Sequence, residues 1–241
     1  MVRVYQATDI GVGRALNEDA LASLDHETYV IADGMGGYAA GEVASHILVD
    51  TVRDILLPKK HFDESGLKEA ILRANYAILQ KVREHPSYTG MGTTATIFHR
   101  ENDLFFWAHV GDSRLYLLRN HSLKQITKDH SLVSDLVENG SITPDEARSH
   151  PNRNVITRAV GVATDLIVDS GRFPAVAGDV LLLCSDGLTS VLSDNVIYEI
   201  LATQQIKGNV AEQLIKNALE KESHDNISAL VVLYDHNTNK C

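Results

Sequence analysis

One stretch constrains this chain more than any other: Tyr29-Val30-Ile31-Ala32-Asp33-Gly34-Met35-Gly36-Gly37. Its apolar half reads as a buried strand that stops at a single carboxylate, and three glycines follow within four residues. Glycine tolerates positive φ and lets other groups approach the backbone closely. A carboxylate at a strand end, with open backbone beside it, suits a hard cation that takes oxygen ligands from side chains and carbonyls. Taken alone, the same residues describe a tight turn with a solvated aspartate. Recurrence favours the cation: Asp112 and Asp186 also close apolar runs, Asp225 opens one, and Glu18-Asp19 precedes a short strand.

The 241 residues show no internal repeat, low-complexity tract or linker, so they are expected to form one domain spanning 1–241. A domain of this size buries roughly 70–75% of its unfolded surface and needs no metal merely to hold a core. No apolar run approaches the ~20 residues of a membrane span, and the N-terminus lacks a signal-peptide pattern. A soluble protein without a membrane partner is expected. The formal charge of −10 argues against nucleic acid, which wants a basic surface. The two cysteines, Cys184 and Cys241, form no Cys-x-x-Cys pair and fit a reducing cytoplasm.

In chain order, a strand is expected over Arg3 to Thr8, a charged loop over Arg14 to Asp19, and then the central strand. Helices are expected over Gly41 to Leu57, ended by Pro58, and over Glu64 to Glu84, each with an apolar stripe at helical spacing. Strands follow at Thr94 to His99, Leu104 to Val110 and Arg114 to Arg119. From about Lys128 to Val160 the chain reads as a helical, irregular surface excursion, and Thr143-Pro144-Asp145-Glu146 has the spacing of a capping box. Further strands are expected over Leu166 to Arg172, Val180 to Ser185 and Ile227 to Tyr234, with two helices near Asp194–Ala202 and Asn209–Lys221. Helices come in pairs between groups of strands, which points to antiparallel sheets with helices outside, an α+β architecture.

Strand ends on one edge of a layered sheet protein can meet, so the acids could share one site. Packed carboxylates repel and one pKa rises steeply. Two divalent cations relieve that and make a clamp for phosphoryl chemistry. The nearby cation is Arg14, whose planar fork suits two phosphate oxygens; its plainer reading is a surface ion pair with Glu18.

Six motifs, in order, carry a resemblance. They are Arg14…Glu18-Asp19, Ala32-Asp33-Gly34-Met35-Gly36-Gly37, Met91-Gly92-Thr93-Thr94, Val110-Gly111-Asp112-Ser113-Arg114, Cys184-Ser185-Asp186-Gly187-Leu188 and Asp225-Asn226-Ile227. From about residue 3 to 234 the chain resembles the metal-dependent type 2C serine/threonine protein phosphatases in their compact bacterial form. The resemblance implies a four-layer α/β/β/α sandwich of two antiparallel sheets. It implies that Asp33 bridges two Mn²⁺ or Mg²⁺ ions, that the Gly34 carbonyl binds one, and that Asp186 and Asp225 bind the other. Glu18 or Asp19 would complete the shell, directly or through water, and Asp112 with Asp186 would hold a third, weaker metal. Arg14 would bind the substrate phosphate, and residues 128–160 would be a flap. The implied activity is one-step hydrolysis of phosphoserine and phosphothreonine by a hydroxide bridging the metals. The implied setting is a cytoplasmic signalling monomer acting on substrates of a serine/threonine kinase.

Two positions depart from the pattern. Many eukaryotic relatives have His where Met35 stands, and some bacterial relatives have His in place of Tyr38; methionine cannot donate a proton, so the general acid is unassigned. A catalytically degenerate phosphoprotein-binding relative is the alternative, but every acid and Arg14 is present. Gly34-x-Gly36-x-x-Ala39 also looks like a dinucleotide fingerprint, yet Asp33 would repel a pyrophosphate. Among the histidines, His26, His46, His61, His85, His99, His121 and His236 read as solvated, His109 as a satisfied core residue, and His130 as a loop hydrogen-bonding group.

Overall fold

A computed structural model describes residues 2–25, 27–36, 40–59, 61–202 and 208–234. Gly37, Tyr38, His26, His236 and Cys241 lie outside the described residues. In chain order the elements are β1 (Val2–Asp9), β2 (Asp19–Leu24), β3 (Thr28–Met35), α1 (Ala40–Leu56), α2 (Glu64–Glu84), β4 (Gly92–Thr93), β5 (Ala95–Glu101), β6 (Leu104–Val110), β7 (Arg114–Arg119) and β8 (Ser122–Gln125). The remainder are α3 (Leu132–Glu138), α4 (Pro144–Ser149), β9 (Asp169–Pro174), β10 (Asp179–Cys184), α5 (Asp186–Thr189), α6 (Asp194–Leu201), α7 (Val210–Glu220) and β11 (Ile227–Tyr234).

The strands form two antiparallel sheets, ordered β1-β11-β10-β7-β8 and β2-β3-β5-β6-β9, with β4 paired to β3. Three apolar clusters explain the layering. Tyr29, Ile31, Phe98, Phe105, Leu115, Leu181, Leu183 and Leu230 pack between the sheets. Leu48, Val52, Leu67, Ile71 and Ile78 lay α1 and α2 on the second sheet through Val30, Ile97 and Ala108. Ile197, Leu201, Leu214 and Ile215 lay α6 and α7 on the first through Leu182, Ala229 and Val231. The result is the α/β/β/α sandwich, and the helical stripes face the core as their spacing requires. No helix among the described residues is long and apolar enough to cross a membrane.

Side chains two apart on a strand share a face. The rows that carry Leu21, Ile31, Phe98, Leu183 and Leu230 between the sheets therefore continue, at one end, into Asp19, Asp33, Thr96, Ser185 and Ser228. On β6 the row of Phe105 and Trp107 runs on to His109. The interior of the sandwich changes from aromatic and aliphatic to acidic and hydroxylic within one strand length.

Several expectations need correction. β3 does not stop at Asp33 but runs to Met35, because Gly34 and Met35 pair with Thr93 and Gly92 of β4. The strand expected from Leu166 begins only at Asp169, opposite His109; Ile167 is 66% exposed while Leu166 packs on the core. Asp186 opens the short helix α5, which sequence patterning did not show. His99 is buried, bonded through Nδ1 to Thr28 Oγ1, with its ring on Phe62.

The excursion between β8 and β9 contains α3 and α4, and Thr143 and Glu146 form the expected capping box. Its far end is stapled beside β4. Thr93 and Val160 exchange backbone hydrogen bonds, and the buried Asn75 of α2 accepts from Gly161 N–H and donates to the Ala163 carbonyl.

Candidate active site

The acidic end is built by register. Asp19 and Asp33 are direct partners across β2 and β3. Asp112 sits in the turn by which the chain crosses from β6 in one sheet to β7 in the other, and Asp186 and Asp225 flank the facing ends of β10 and β11. Asp19, Asp33, Asp112, Asp186 and Asp225 are thereby gathered at one end of the sandwich, as the sequence suggested. Two open cavities, of 490 and 540 Å³, lie at the opposite strand ends and share no residue with this cluster.

Hydroxyl groups hold the Asp33 backbone and the Asp19 carboxylate in place. Thr94 Oγ1 accepts from Asp33 N–H at 2.9 Å and pairs with Ser113 Oγ at 2.7 Å, while Thr93 Oγ1 donates to the Asp33 carbonyl. Ser185 Oγ donates to Asp19 Oδ2 at 2.8 Å and accepts from Ser228 N–H at 2.9 Å, a bridge from one sheet to the other. Asn226 fixes the entry loop: its Oδ1 accepts from Glu18 N–H, and its amide donates to the carbonyls of Ile10 and Leu16. The sequence motifs contained Thr93, Thr94, Ser113, Ser185 and Asn226 but not Ser228, and residue type alone does not reveal partners as distant as Glu18 is from Asn226.

Glu18 is separated from Asp19 by its role. Its carbonyl accepts from Gly34 N–H and its carboxylate accepts from Gly41 N–H in the first turn of α1, where the helix leaves backbone donors free. A Cβ on Gly34 would stand 2.2 Å from the Gly41 carbonyl oxygen, so β3 and the start of α1 touch backbone to backbone. Arg14 is bonded through Nε to the His224 carbonyl at 3.0 Å and through its terminal nitrogen to Asp225 Oδ1 at 2.5 Å. Its ion-pair partner is therefore Asp225 and not the Glu18 that helical spacing suggested.

The electrostatics follow from burial and crowding. The Asp33 carboxyl is pushed well above the usual carboxylate range by burial first, then by Asp19, Asp186, Asp112 and Asp225. Burial raises Asp19 to about 7, against hydrogen bonds from Ser228 and Ser185 and with added repulsion from Asp186 and Asp225. Asp186 rises to about 6 through burial and then Asp225, and Asp112 rises through burial and then Asp186 and Asp129. Asp19 Oδ1 and Asp112 Oδ1 are buried without any hydrogen-bond partner. A buried carboxylate oxygen with no donor lacks what its charge requires. Divalent cations that prefer oxygen ligands meet that need, so the donor set fits them. As the side chains stand, no three His, Cys, Asp or Glu among the described residues close into a single coordination shell. Asp225 instead faces Arg14.

The chain belongs to the protein phosphatase 2C family, whose profile matches residues 12–223. It is 38% identical over 238 residues to the serine/threonine phosphatase Stp of Listeria monocytogenes, covering 95% of this chain and 94% of that protein. The crystal structure of the Mycobacterium tuberculosis serine/threonine phosphatase PstP/Ppp superposes with a TM-score of 0.92 at 38% identity, over 98% of this chain and 99% of that one. A crystal structure of the catalytic domain of PstP in complex with two manganese ions gives a TM-score of 0.89 at 36% identity, again over 98% and 99%.

The raised acids set a pH dependence for the metal-free protein. An aspartate whose folded pKa lies above its unfolded value of 3.8 favours folding fully below that value and loses the benefit as pH rises through the folded pKa, here about 7 for Asp19. In excess chelator, Asp19→Asn should therefore raise the Tm at pH 7.5, with the gain shrinking toward pH 4. Melts of both proteins across that range check it; a gain that grows as pH falls would contradict it.

Proposed function

We propose that this chain is a metal-dependent protein phosphatase that removes phosphate from phosphoserine and phosphothreonine. One observation carries the reading: five carboxylates converge at one end of a sandwich, two of their buried oxygens have no donor, and a guanidinium stands beside them. Family membership supports the same reading.

Asp33, at the centre of the repulsion, would hold both Mn²⁺ or Mg²⁺ ions, with the Gly34 carbonyl, Asp186 and Asp225 around it. Asp19, with its free Oδ1, is better suited than Glu18 to complete the shell, because the Glu18 carboxylate is engaged by Gly41 N–H. Asp112 with Asp186 would take a third, weaker ion. When bound, the metals supply neutralising charge and acidify water for attack on phosphorus.

The chain's own residues do the rest. Thr94 and Ser185 fix the Asp33 backbone and the Asp19 carboxylate, so the acids need not reorganise as charge develops. Arg14 binds the substrate phosphate in a bidentate manner. Its pair with Asp225 is 41% and 36% exposed, and such a surface pair is worth about 0–1 kcal/mol, so exchanging the carboxylate for phosphate costs little. The substrates are phosphoproteins made by a serine/threonine kinase, and the enzyme acts as a cytoplasmic monomer, the whole chain forming one catalytic domain.

Phosphate release from a phosphothreonine peptide tests the reading. Chelation should abolish it and Mn²⁺ should restore it. Asp33→Asn should lose several orders of magnitude while its melt stays cooperative, because the core does not rest on the metal. Full activity in excess chelator would overturn the proposal.

The leaving alkoxide of phosphothreonine needs a proton, whereas nitrophenolate leaves without one. Met35 cannot supply it, and we assign it to water that would be held beside Asp112 and acidified by the weaker ion. Asp112→Ala should keep much of its rate on p-nitrophenyl phosphate and lose most of it on the phosphopeptide, at saturating Mn²⁺. Parallel losses on both substrates, with a lowered Tm, would reduce Asp112 to a turn residue.

A further inference from the structure

Asp112 has an unusual support. Its Oδ1 is buried without a hydrogen-bond partner, so no donor side chain holds that oxygen and the placement of the backbone that carries it matters. From the surface excursion, His130 bonds both polar groups of the adjoining Gly111 backbone. His130 N–H donates to the Gly111 carbonyl at 2.7 Å, and Gly111 N–H donates back to His130 Nδ1 at 3.0 Å. Gly111 itself lies at φ 111°, and a Cβ there would meet Thr94 Cγ2 at 2.5 Å, so this turn packs against Thr94 with no place for a side chain.

The bonds fix the tautomer. Because Nδ1 accepts from Gly111, the ring proton of neutral His130 is on Nε2, which donates to Asp169 Oδ2 at 3.1 Å. Nε2 cannot also accept from Arg158, 3.0 Å away. Arg158 donates instead to Asp169 Oδ1 at 2.7 Å and to the Ile167 carbonyl. Behind them His109, fully buried, accepts from Thr96 Oγ1 and donates through Nε2 to the Gly111 and Lys128 carbonyls. Burial disfavours the charged form of both imidazoles, which keeps each a one-donor, one-acceptor connector.

We propose that His130, oriented by Asp169 and Arg158, is the positioning residue that aims the Asp112 carboxylate into the acidic cluster. The inference rests on the reading of Asp112 as a ligand of the weaker metal. A chain of contacts runs from Arg158, at the end of the excursion, through Asp169, His130 and Gly111 to Asp112. Loss of a group that orients a metal ligand lowers metal affinity about 10- to 100-fold.

Mn²⁺ binding by isothermal titration calorimetry, on the full chain, tests it without recourse to activity. Asp112→Asn should remove the weakest Mn²⁺ site. His130→Leu should weaken that same site at least about tenfold and leave the tighter sites alone. His130→Asn, which keeps an acceptor near the Nδ1 position, should recover much of the loss. In the Asp112→Asn background, His130→Leu should change Mn²⁺ binding no further. Wild-type binding by His130→Leu would overturn the inference, as would equal weakening of every site in both backgrounds. If Asp112→Asn itself leaves Mn²⁺ binding intact, the reading of Asp112 fails first, and the inference falls with it. Should His130→Leu not fold, Asp169→Ala, at a half-exposed side chain, should weaken the same site, and unchanged binding there would count against the proposal.

Discussion

Repulsion among carboxylates forced out of water is the interaction on which the rest of this structure turns. Asp19, Asp33, Asp112 and Asp186 each have a pKa raised first by burial and then by acidic neighbours. A protein that only had to fold would fill the end of the sandwich as it fills the middle, with residues such as Ile31 and Leu183. Placing acids there costs stability in the absence of a cation, and the surrounding hydroxyls and amides limit how far the acids can retreat.

Two kinds of restraint do that limiting. Hydroxyls work inside: Thr94 Oγ1 accepts from Asp33 N–H and pairs with Ser113 Oγ, and Ser185 Oγ donates to the Asp19 carboxylate while accepting from Ser228 N–H. Close backbone packing works at the edge, where Gly34 meets Gly41 with no space for a side chain and Glu18 ties β2, β3 and α1 together. Arg14 lies at the exposed side of the cluster, on the Asp225 carboxylate and the His224 carbonyl.

Much of this was legible in the sequence, because period-two alternation and strand-ending acids are local signals. The α+β layering, the helical stripes and the convergence of Asp19, Asp33, Asp112, Asp186 and Asp225 followed from such signals together with motif order. The misreadings were non-local. β3 extends past Asp33 only because Gly92 and Thr93, far along the chain, pair with Met35 and Gly34. Arg14 takes Asp225 as its partner because β1 and β11 are neighbours, which a helical i, i+4 rule cannot see. His99 is buried because Phe62 covers it. His130 is the hydrogen-bonding loop residue that its sequence context suggests, but its two bonds to Gly111 gain meaning only beside Asp112.

The central claim is that this acidic end exists to be closed by divalent cations. Anomalous diffraction at the manganese edge, from crystals grown with Mn²⁺, tests it most directly. The account predicts two strong peaks bounded by Asp33, Asp186 and Asp225, with the Arg14 guanidinium released from Asp225. Absence of manganese from this cluster at saturating Mn²⁺, with Arg14 still bonded to Asp225, would contradict it.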